Sequence, residues 1–294
     1  MSKEIGIIGL GSMGSAIVTH LKKKYKIYGY DIKKYNSFRS SRNFFLIKNL
    51  KEIFLKTNIF IIIVLDENQC QKILNKFIDI KKRLKINKNY TIINCTTVSP
   101  NWVKKIYKKL EKNNFEYIDC PVSGGPKKAV NGKLSLMISS KIKPYKKNLT
   151  LLKDMGNNIY NMGNKIGTGS TVKIINNCLA GIQIISAAEA IILAKREKIN
   201  LKKIFKIINN SSGHSWMFND RGKRMMDKKY FKPLSRLSIF RKDMKLANKL
   251  RKKHYLNLPL TKIALKIYEM GCKQGLENFD DSAVINLLDK KADY

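Results

Sequence analysis

The sequence predicts an α/β protein: an N-terminal doubly wound, largely parallel sheet, then an all-α C-terminal domain, the two joined by a long helix. Three observations carry that expectation. Short apolar runs alternate with amphipathic stretches through the first half, strand signals stop after Gly169, and an unbroken apolar helical pattern runs from Ser170 to Arg196. Strands alternating with helices of ordinary length imply βαβ units, whose parallel strands need helical crossovers.

Taken in order, the expected strands are Glu4–Ile8, Lys26–Tyr30, Asn58–Val64, Thr91–Cys95, Phe115–Asp119, Leu134–Ser139 and Asn158–Tyr160. Helical patterns fall between them, for example Met13–Lys24, Gln69–Lys82 and Asn101–Asn113. Ser170–Arg196 holds no proline and one glycine, Gly181, and is apolar around most of its circumference, which predicts a buried central helix. Helices then follow at Leu201–Asn210, Ile239–Lys253, Leu260–Gln274 and Ser282–Leu288. The Gly- and Asn-rich stretch Met162–Gly169 marks the boundary, giving expected domains of residues 1–163 and 164–294.

Composition narrows the function. The 294 residues carry 59 Lys+Arg against 21 Asp+Glu, a net charge of +38, which by itself suggests a polyanionic partner. Only nine of the 59 are arginine, the residue whose planar fork grips phosphates and base edges. Lysine travels with abundant Ile and Asn, all encoded by A/T-rich codons, so the excess reads as mutational bias on solvated faces. A nucleic-acid-binding protein on a borrowed scaffold stays as the rival from another class. Its affinity would fall steeply with salt. With 44% hydrophobic residues the chain is globular, and the longest apolar run, Ile59 to Leu65, is short of a bilayer span. Five scattered cysteines and three distant histidines (His20, His214, His254) form no metal spacing, so no metal is expected. The chain opens directly into a strand pattern, and a cytoplasmic protein with reduced thiols is expected.

Gly9-Leu10-Gly11-Ser12-Met13-Gly14 follows the first strand and opens the first helix. In such a loop Gly9 permits the tight turn, Gly11 lets backbone approach a pyrophosphate, and Gly14 lets the helix pack on its strand. Asp31 closes the second strand, where a carboxylate bonds a ribose 2′-hydroxyl. The whole pattern predicts a Rossmann-type domain. Ile32 stands where an NADP site normally has Arg, so NAD is favoured; Lys33 and Lys34 offset that only in part.

Two stretches of the chain suggest chemistry. Asp119-Cys120-Pro121-Val122-Ser123-Gly124-Gly125 closes a strand in a turn that offers one hydroxyl and consecutive amides, a cradle for a carboxylate or else a plain strand-to-helix loop. Gly167-Thr168-Gly169-Ser170-Thr171-Val172-Lys173-Ile174-Ile175-Asn176-Asn177 starts the long helix and places Lys173 and Asn177 on one face. Burial disfavours a charged lysine, and a neutral amine can take a proton from an alcohol as hydride leaves the same carbon. The alternative is a snorkelling lysine near a helix start.

These motifs, in this order and at these separations, resemble the β-hydroxyacid dehydrogenase family, which includes 3-hydroxyisobutyrate dehydrogenase and tartronate semialdehyde reductase. The resemblance covers nearly the whole chain. The stretches CLAG, SSGHSWMFNDR, IFRKD and DDSAVI are most similar to the L-threonate dehydrogenase branch. It implies an NAD-dependent oxidoreductase with Lys173 as general acid/base and Asn177 orienting the substrate. Ser123, Gly124 and Gly125 match the carboxylate-binding turn. Thr97 corresponds to the threonine beside the nicotinamide ribose, Val64 and Leu65 to the residues packing the adenosine and ribose side, and Lys242 to a lysine reaching cofactor or substrate. Its neighbour Asp243 reads as structural. Two features depart from the threonate branch: Asn176-Asn177 stands where that branch often has His-Gln, and His214 where it tends to have Asn. The family further implies an active site between the domains and a homodimer or homotetramer built on the C-terminal helices. The expected reaction is oxidation of L-threonate at C2 to 2-dehydro-L-erythronate, the alternatives being the hydroxyisobutyrate and tartronate semialdehyde reactions.

Overall fold

The computed structural model describes residues 3–33 and 40–289, which divide after Lys173 into two compact units. In the first, β1 (Glu4–Ile8), α1 (Ser12–Leu21), β2 (Lys26–Tyr30), β3 (Phe44–Leu46), α2 (Leu50–Lys56) and β4 (Ile59–Ile62) open the sheet. They are followed by α3 (Glu67–Arg83), β5 (Tyr90–Asn94), α4 (Pro100–Glu111) and β6 (Phe115–Asp119). Then come β7 (Val122–Ser123), α5 (Gly125–Val130), β8 (Ser135–Ser140), α6 (Ile142–Met155) and β9 (Asn158–Asn161). The strand order is β3-β2-β1-β4-β5-β6-β8-β7, with β9 on β8. Pairing is parallel from β3 to β6; β8 then runs antiparallel to β6 and to β7.

Alternation along each strand builds a core on both faces. In β4, Ile59 and Ile61 join the cluster under α1 and α6, while Phe60 and Ile62 join the one under α2, α3 and α4. The second cluster centres on stacked and tilted rings of Phe54, Phe60, Phe77, Tyr90 and Phe115. Helix starts follow local chemistry: Asn49, Asp66 and Ser99 each accept a backbone amide of the first turn, and Pro100 occupies the first position of α4. The chain leaves β1 toward β3 and returns to β4 on the other side of β1. A crevice forms at the carboxyl ends of strands where the order reverses in this way.

The sequence reading does not include the short strands β3 and β7 and gives no range for α2, α5 and α6. α2, for one, carries only Ile53 and Phe54 as buried residues, too few to show a period. It also extends β4 to Val64, whereas the strand stops at Ile62.

The second unit follows α7 (Thr168–Arg196) with α8 (Leu201–Asn209), a π-helical turn at Phe218–Gly222, α9 (Lys223–Met226) and α10 (Leu237–Lys253). α11 (Pro259–Lys273), a 3-10 turn at Asp281–Val284 and α12 (Ile285–Leu288) complete it. Ile184, Ala188 and Ile191 of α7 share a core with Phe240, Met244 and Tyr268. A Cβ on Gly181 would stand 2.8 Å from Met244 Sδ, so the glycine lets α10 approach, and Tyr268 donates to the Gly181 carbonyl at 2.9 Å. Arg221 in the π turn forks onto Asp281 (2.6 and 3.0 Å) and also pairs with Asp220. Burial opposes its charge, but the two carboxylates outweigh that and hold its pKa above the ordinary arginine value.

α7 departs from the sequence expectation of an all-round buried helix. Ile175, Leu179 and Leu193 are 61%, 58% and 66% exposed, because α10 and α11 cover one side only. α7 is long and apolar enough to cross a membrane by length and composition, yet its inner face is a core shared with other helices.

Candidate active site

The glycine loop lies where β1 meets α1. A Cβ on Gly9 would fall 2.2 Å from the Ile63 carbonyl oxygen, and one on Gly14 would fall 1.8 Å from the Gly9 carbonyl oxygen. Neither position accepts a side chain. Gly11 differs: a Cβ there would meet nothing within 4 Å, so its backbone faces open space at the head of α1. No side chain caps this helix, which leaves its first amides and positive dipole end for an anion. Asp31 at the end of β2 receives the Leu10 amide at 2.6 Å on one oxygen and the Lys33 amide at 2.8 Å on the other. The carboxylate is thereby fixed beside the loop with lone pairs to spare for a ribose hydroxyl. Glycines that tolerate no Cβ, an open Gly11 and a tethered acid fit a dinucleotide. Ile32 is 74% exposed, Ser12 and Met13 open the helix, and Lys34 lies outside the described residues.

The neighbouring strand ends extend this edge. Val64 donates its amide to Thr96 Oγ1 at 3.0 Å and Leu65 donates to Gln69 Oε1 at 3.0 Å, so β4 leaves the sheet in a bonded turn. Thr97, half-buried, follows the buried Thr96 at the end of β5. Cys95 and Cys120 sit just beyond β5 and β6, and their mutual hydrogen bond, together with burial, pushes the Cys120 thiol well above the ordinary thiol range.

Beyond β6 the chain turns through Ser123, Gly124 and Gly125. Gly124 (φ +129°) and Gly125 (φ +70°) both adopt backbone that favours glycine, as a tight cradle of consecutive amides requires. Lys173 is only 7% exposed, so it is a buried lysine rather than a snorkelling one. Among the described residues Lys81 alone shares that state; it donates to the Asn113 and Asn114 carbonyls at 3.0 and 2.9 Å and lies over the Tyr90 and Phe115 rings.

One turn after Lys173 on the same helix, Asn177 is buried and donates to Asp243 Oδ2 at 2.6 Å. Asn176 donates to Asn177 Oδ1 at 3.1 Å. Lys242 lies 2.7 Å from the other Asp243 oxygen. Asp243, which the sequence assigns to structure, therefore joins two of the candidate residues and fixes which way the Asn177 amide points. The sequence signal for it was adjacency to Lys242 alone.

A second buried acid, Asp119, is read from the sequence only as closing a strand. Asp119 receives Ser170 Oγ at 2.6 Å, the Ser170 amide at 2.9 Å and Ser139 Oγ at 3.0 Å. Burial raises its pKa to about 6 against the opposing pull of the Ser170 and Ser139 hydrogen bonds. Among the described residues no cluster of His, Cys, Asp and Glu could hold a metal ion.

Comparison with known proteins gives the family. Residues 4–163 match the NAD binding domain of 6-phosphogluconate dehydrogenase, and residues 167–288 match the NAD-binding segment of NADP-dependent 3-hydroxyisobutyrate dehydrogenase. The L-threonate dehydrogenase of Pectobacterium atrosepticum is 31% identical over 97% of this chain and 93% of its own. The chain belongs to the 3-hydroxyisobutyrate dehydrogenase family. It is an NAD-dependent hydroxyacid dehydrogenase. The mitochondrial 3-hydroxyisobutyrate dehydrogenase of Drosophila melanogaster is 29% identical over 99% of this chain and 90% of its own. Among solved structures, a 3-hydroxyisobutyrate dehydrogenase from Salmonella typhimurium superposes with a TM-score of 0.83 at 27% identity, covering 97% of this chain and 99% of that one.

Proposed function

We propose that this dehydrogenase oxidises L-threonate at C2 to 2-dehydro-L-erythronate, with NAD as acceptor. The observation that carries the chemistry is a buried lysine, Lys173, one turn before a buried, oriented Asn177 on the same helix. The substrate is supported by L-threonate dehydrogenases from several bacteria at about 30% identity over nearly the whole chain. When bound, NAD supplies the hydride acceptor. Ser123 and the Gly124 and Gly125 amides hold the substrate carboxylate, and Asn177, its orientation set by Asp243, holds the reacting hydroxyl. Lys173 Nζ, entering as the neutral amine, takes the hydroxyl proton as the C2 hydride departs, leaving a ketone and an ammonium. Asp31, with no arginine after it, favours NAD over NADP because a carboxylate repels a 2′-phosphate. Lys242 serves the cofactor side, with Thr97, Val64 and Leu65 lining it.

A second reading, with 3-hydroxyisobutyrate or tartronate semialdehyde as substrate, draws on Asn176-Asn177, the pair that resembles hydroxyisobutyrate enzymes. An NAD(H)-linked assay with L-threonate, 3-hydroxyisobutyrate and glycerate side by side decides between them. The Lys173→Ala variant is expected to lose turnover and keep NADH binding; substantial turnover would remove Lys173 from its role. The same reading places the enzyme in the cytoplasm, in keeping with five free cysteines. It also makes the enzyme a homodimer or homotetramer, with the exposed Ile175, Leu179 and Leu193 of α7 as the surface to be covered. Light scattering on the purified chain tests that, a monomer at micromolar concentration refuting it.

A further inference from the structure

We infer that Asp119 is a positioning residue: with Ser139, it fixes the first turn of α7 and thereby the place of Lys173. The inference rests on the reading of Lys173 as the proton acceptor. The first turn of any helix leaves amides without partners inside the helix, and a side chain just before the helix usually meets them. In α7 they are met from the sheet instead. The Ser170 amide and hydroxyl go to the two oxygens of Asp119, at the end of β6. The Gly167 and Gly169 amides go to Ser139 Oγ at 3.2 Å each, from β8, and Ser139 in turn donates to Asp119 at 3.0 Å. Asp119, Ser139 and Ser170 are all fully buried, so water does not compete for these bonds.

The backbone leaves no slack around this latch. A Cβ on Gly169 would stand 2.3 Å from the Met137 carbonyl oxygen and 3.2 Å from that of Asp119, so the helix start lies directly on the two strands. Ser170 and Lys173 are separated by three residues and share a face, so a shift of that turn moves Lys173 with it. Asp119 also begins the segment leading to Ser123, where Cys120 donates to the Asn94 carbonyl at 2.9 Å and Met137 to the Pro121 carbonyl at 3.1 Å. One carboxylate therefore ties the carboxylate-binding turn and the lysine-bearing helix to the same strand end. Its chemistry suits positioning better than stability. A neutral side chain would cap the helix with a smaller desolvation penalty, whereas an acid forms shorter and stronger bonds and so a tighter fix. Misplacement of a catalytic group by about 1 Å is enough to cost on the order of a hundredfold in rate.

The test compares Asp119→Asn, Asp119→Ala, Ser139→Ala and Lys173→Ala with the wild type in four measurements. These are thermal melting, NADH binding by fluorescence, hydrogen exchange of peptides spanning residues 165–175, and kinetics with whichever of L-threonate, 3-hydroxyisobutyrate and glycerate turns over best. Asp119→Asn and Ser139→Ala are expected to fold and to bind NADH within twofold of wild type. They are expected to exchange the residue 165–175 amides at least tenfold faster. Their kcat falls at least tenfold while KM changes less than threefold, and Asp119→Asn retains more activity than Asp119→Ala. A purely structural cap predicts a lower melting point with wild-type kcat per folded molecule. That result, or unchanged exchange, overturns the inference. Turnover by Lys173→Ala instead removes the reading of Lys173, an outcome the exchange measurement does not share. Should Asp119→Ala fail to fold, Asp119→Asn and Ser139→Ala decide the matter.

Discussion

Replacing Gly11 by alanine separates cofactor binding from folding. Gly11 caps α1 with φ −62° and ψ −171°, extended backbone that alanine adopts without strain, and its Cβ would meet no atom within 4 Å. Two small effects on stability oppose each other. Stiffening the unfolded chain adds about 0.4–1 kcal/mol, and the poorer fit of alanine at a helix N-cap removes about as much. The melting temperature is therefore expected to stay within about 2 °C of wild type. Binding follows a different ledger, because the new methyl occupies the open side from which a pyrophosphate approaches the α1 amides. Loss of one charged hydrogen bond costs about 1.5–3 kcal/mol, or roughly 10- to 150-fold in the NADH dissociation constant. Gly14→Ala is the contrasting control. Its Cβ would lie 1.8 Å from the Gly9 carbonyl oxygen, a backbone clash whose relief costs about 1–3 kcal/mol and lowers the melting point by about 2–12 °C. Fluorescence titration with NADH and a thermal melt of each variant suffice. A Gly11→Ala protein that binds NADH like the wild type would refute the assignment of this face to the cofactor.

Three further outcomes follow from named contacts. Asp31→Asn keeps an acceptor for the Leu10 amide but drops the charge, so the ratio of NADH to NADPH affinity should fall at least tenfold in paired titrations. Asp119 is fully buried with its pKa raised from 3.8 to about 6, so its contribution to stability is fully present below about pH 4 and lost as pH rises through 6. That loss amounts to about 3 kcal/mol, and it should appear in denaturant melts at pH 4 and pH 7 as the difference between the pH dependence of the wild type and that of Asp119→Asn. Arg221→Met leaves Asp281 buried without its forked partner, which should cost about 3–5 kcal/mol; adding Asp281→Leu should recover most of that loss in the same thermal melts.

What was legible in the sequence was local. Gly9, Gly14, Gly124 and Gly125 are each legible locally, because a positive φ or a forbidden Cβ restricts residue type at the position itself. Strands β1, β2 and β6 have the predicted bounds, since each is a short apolar run closed by a glycine or an acid (Gly9, Asp31 and Asp119). Polar closure over long separations was not legible. Asp119 reaches Ser170 across 51 residues and Asn177 reaches Asp243 across 66, and nothing near either acid names its partner. The two buried lysines show the same divide from opposite sides. Lys173 sits among Val172, Ile174 and Ile175, a setting that raises the question of its burial, although Ile175 itself is exposed while Lys173 is not. Lys81 stands beside Lys82 and Arg83 in α3 and looks like any solvated lysine, yet it is held by carbonyls 32 and 33 residues away. Burial lowers its pKa, and its ammonium joins the end of α3 to the turn after α4, which makes it part of the fold. A charge of +38 thus resolves into a large solvated majority and, among the described residues, two buried lysines, one tying the end of α3 to the turn after α4 and one near the start of α7. Neither of the two buried lysines was chosen by charge; both were chosen by what surrounds the amine.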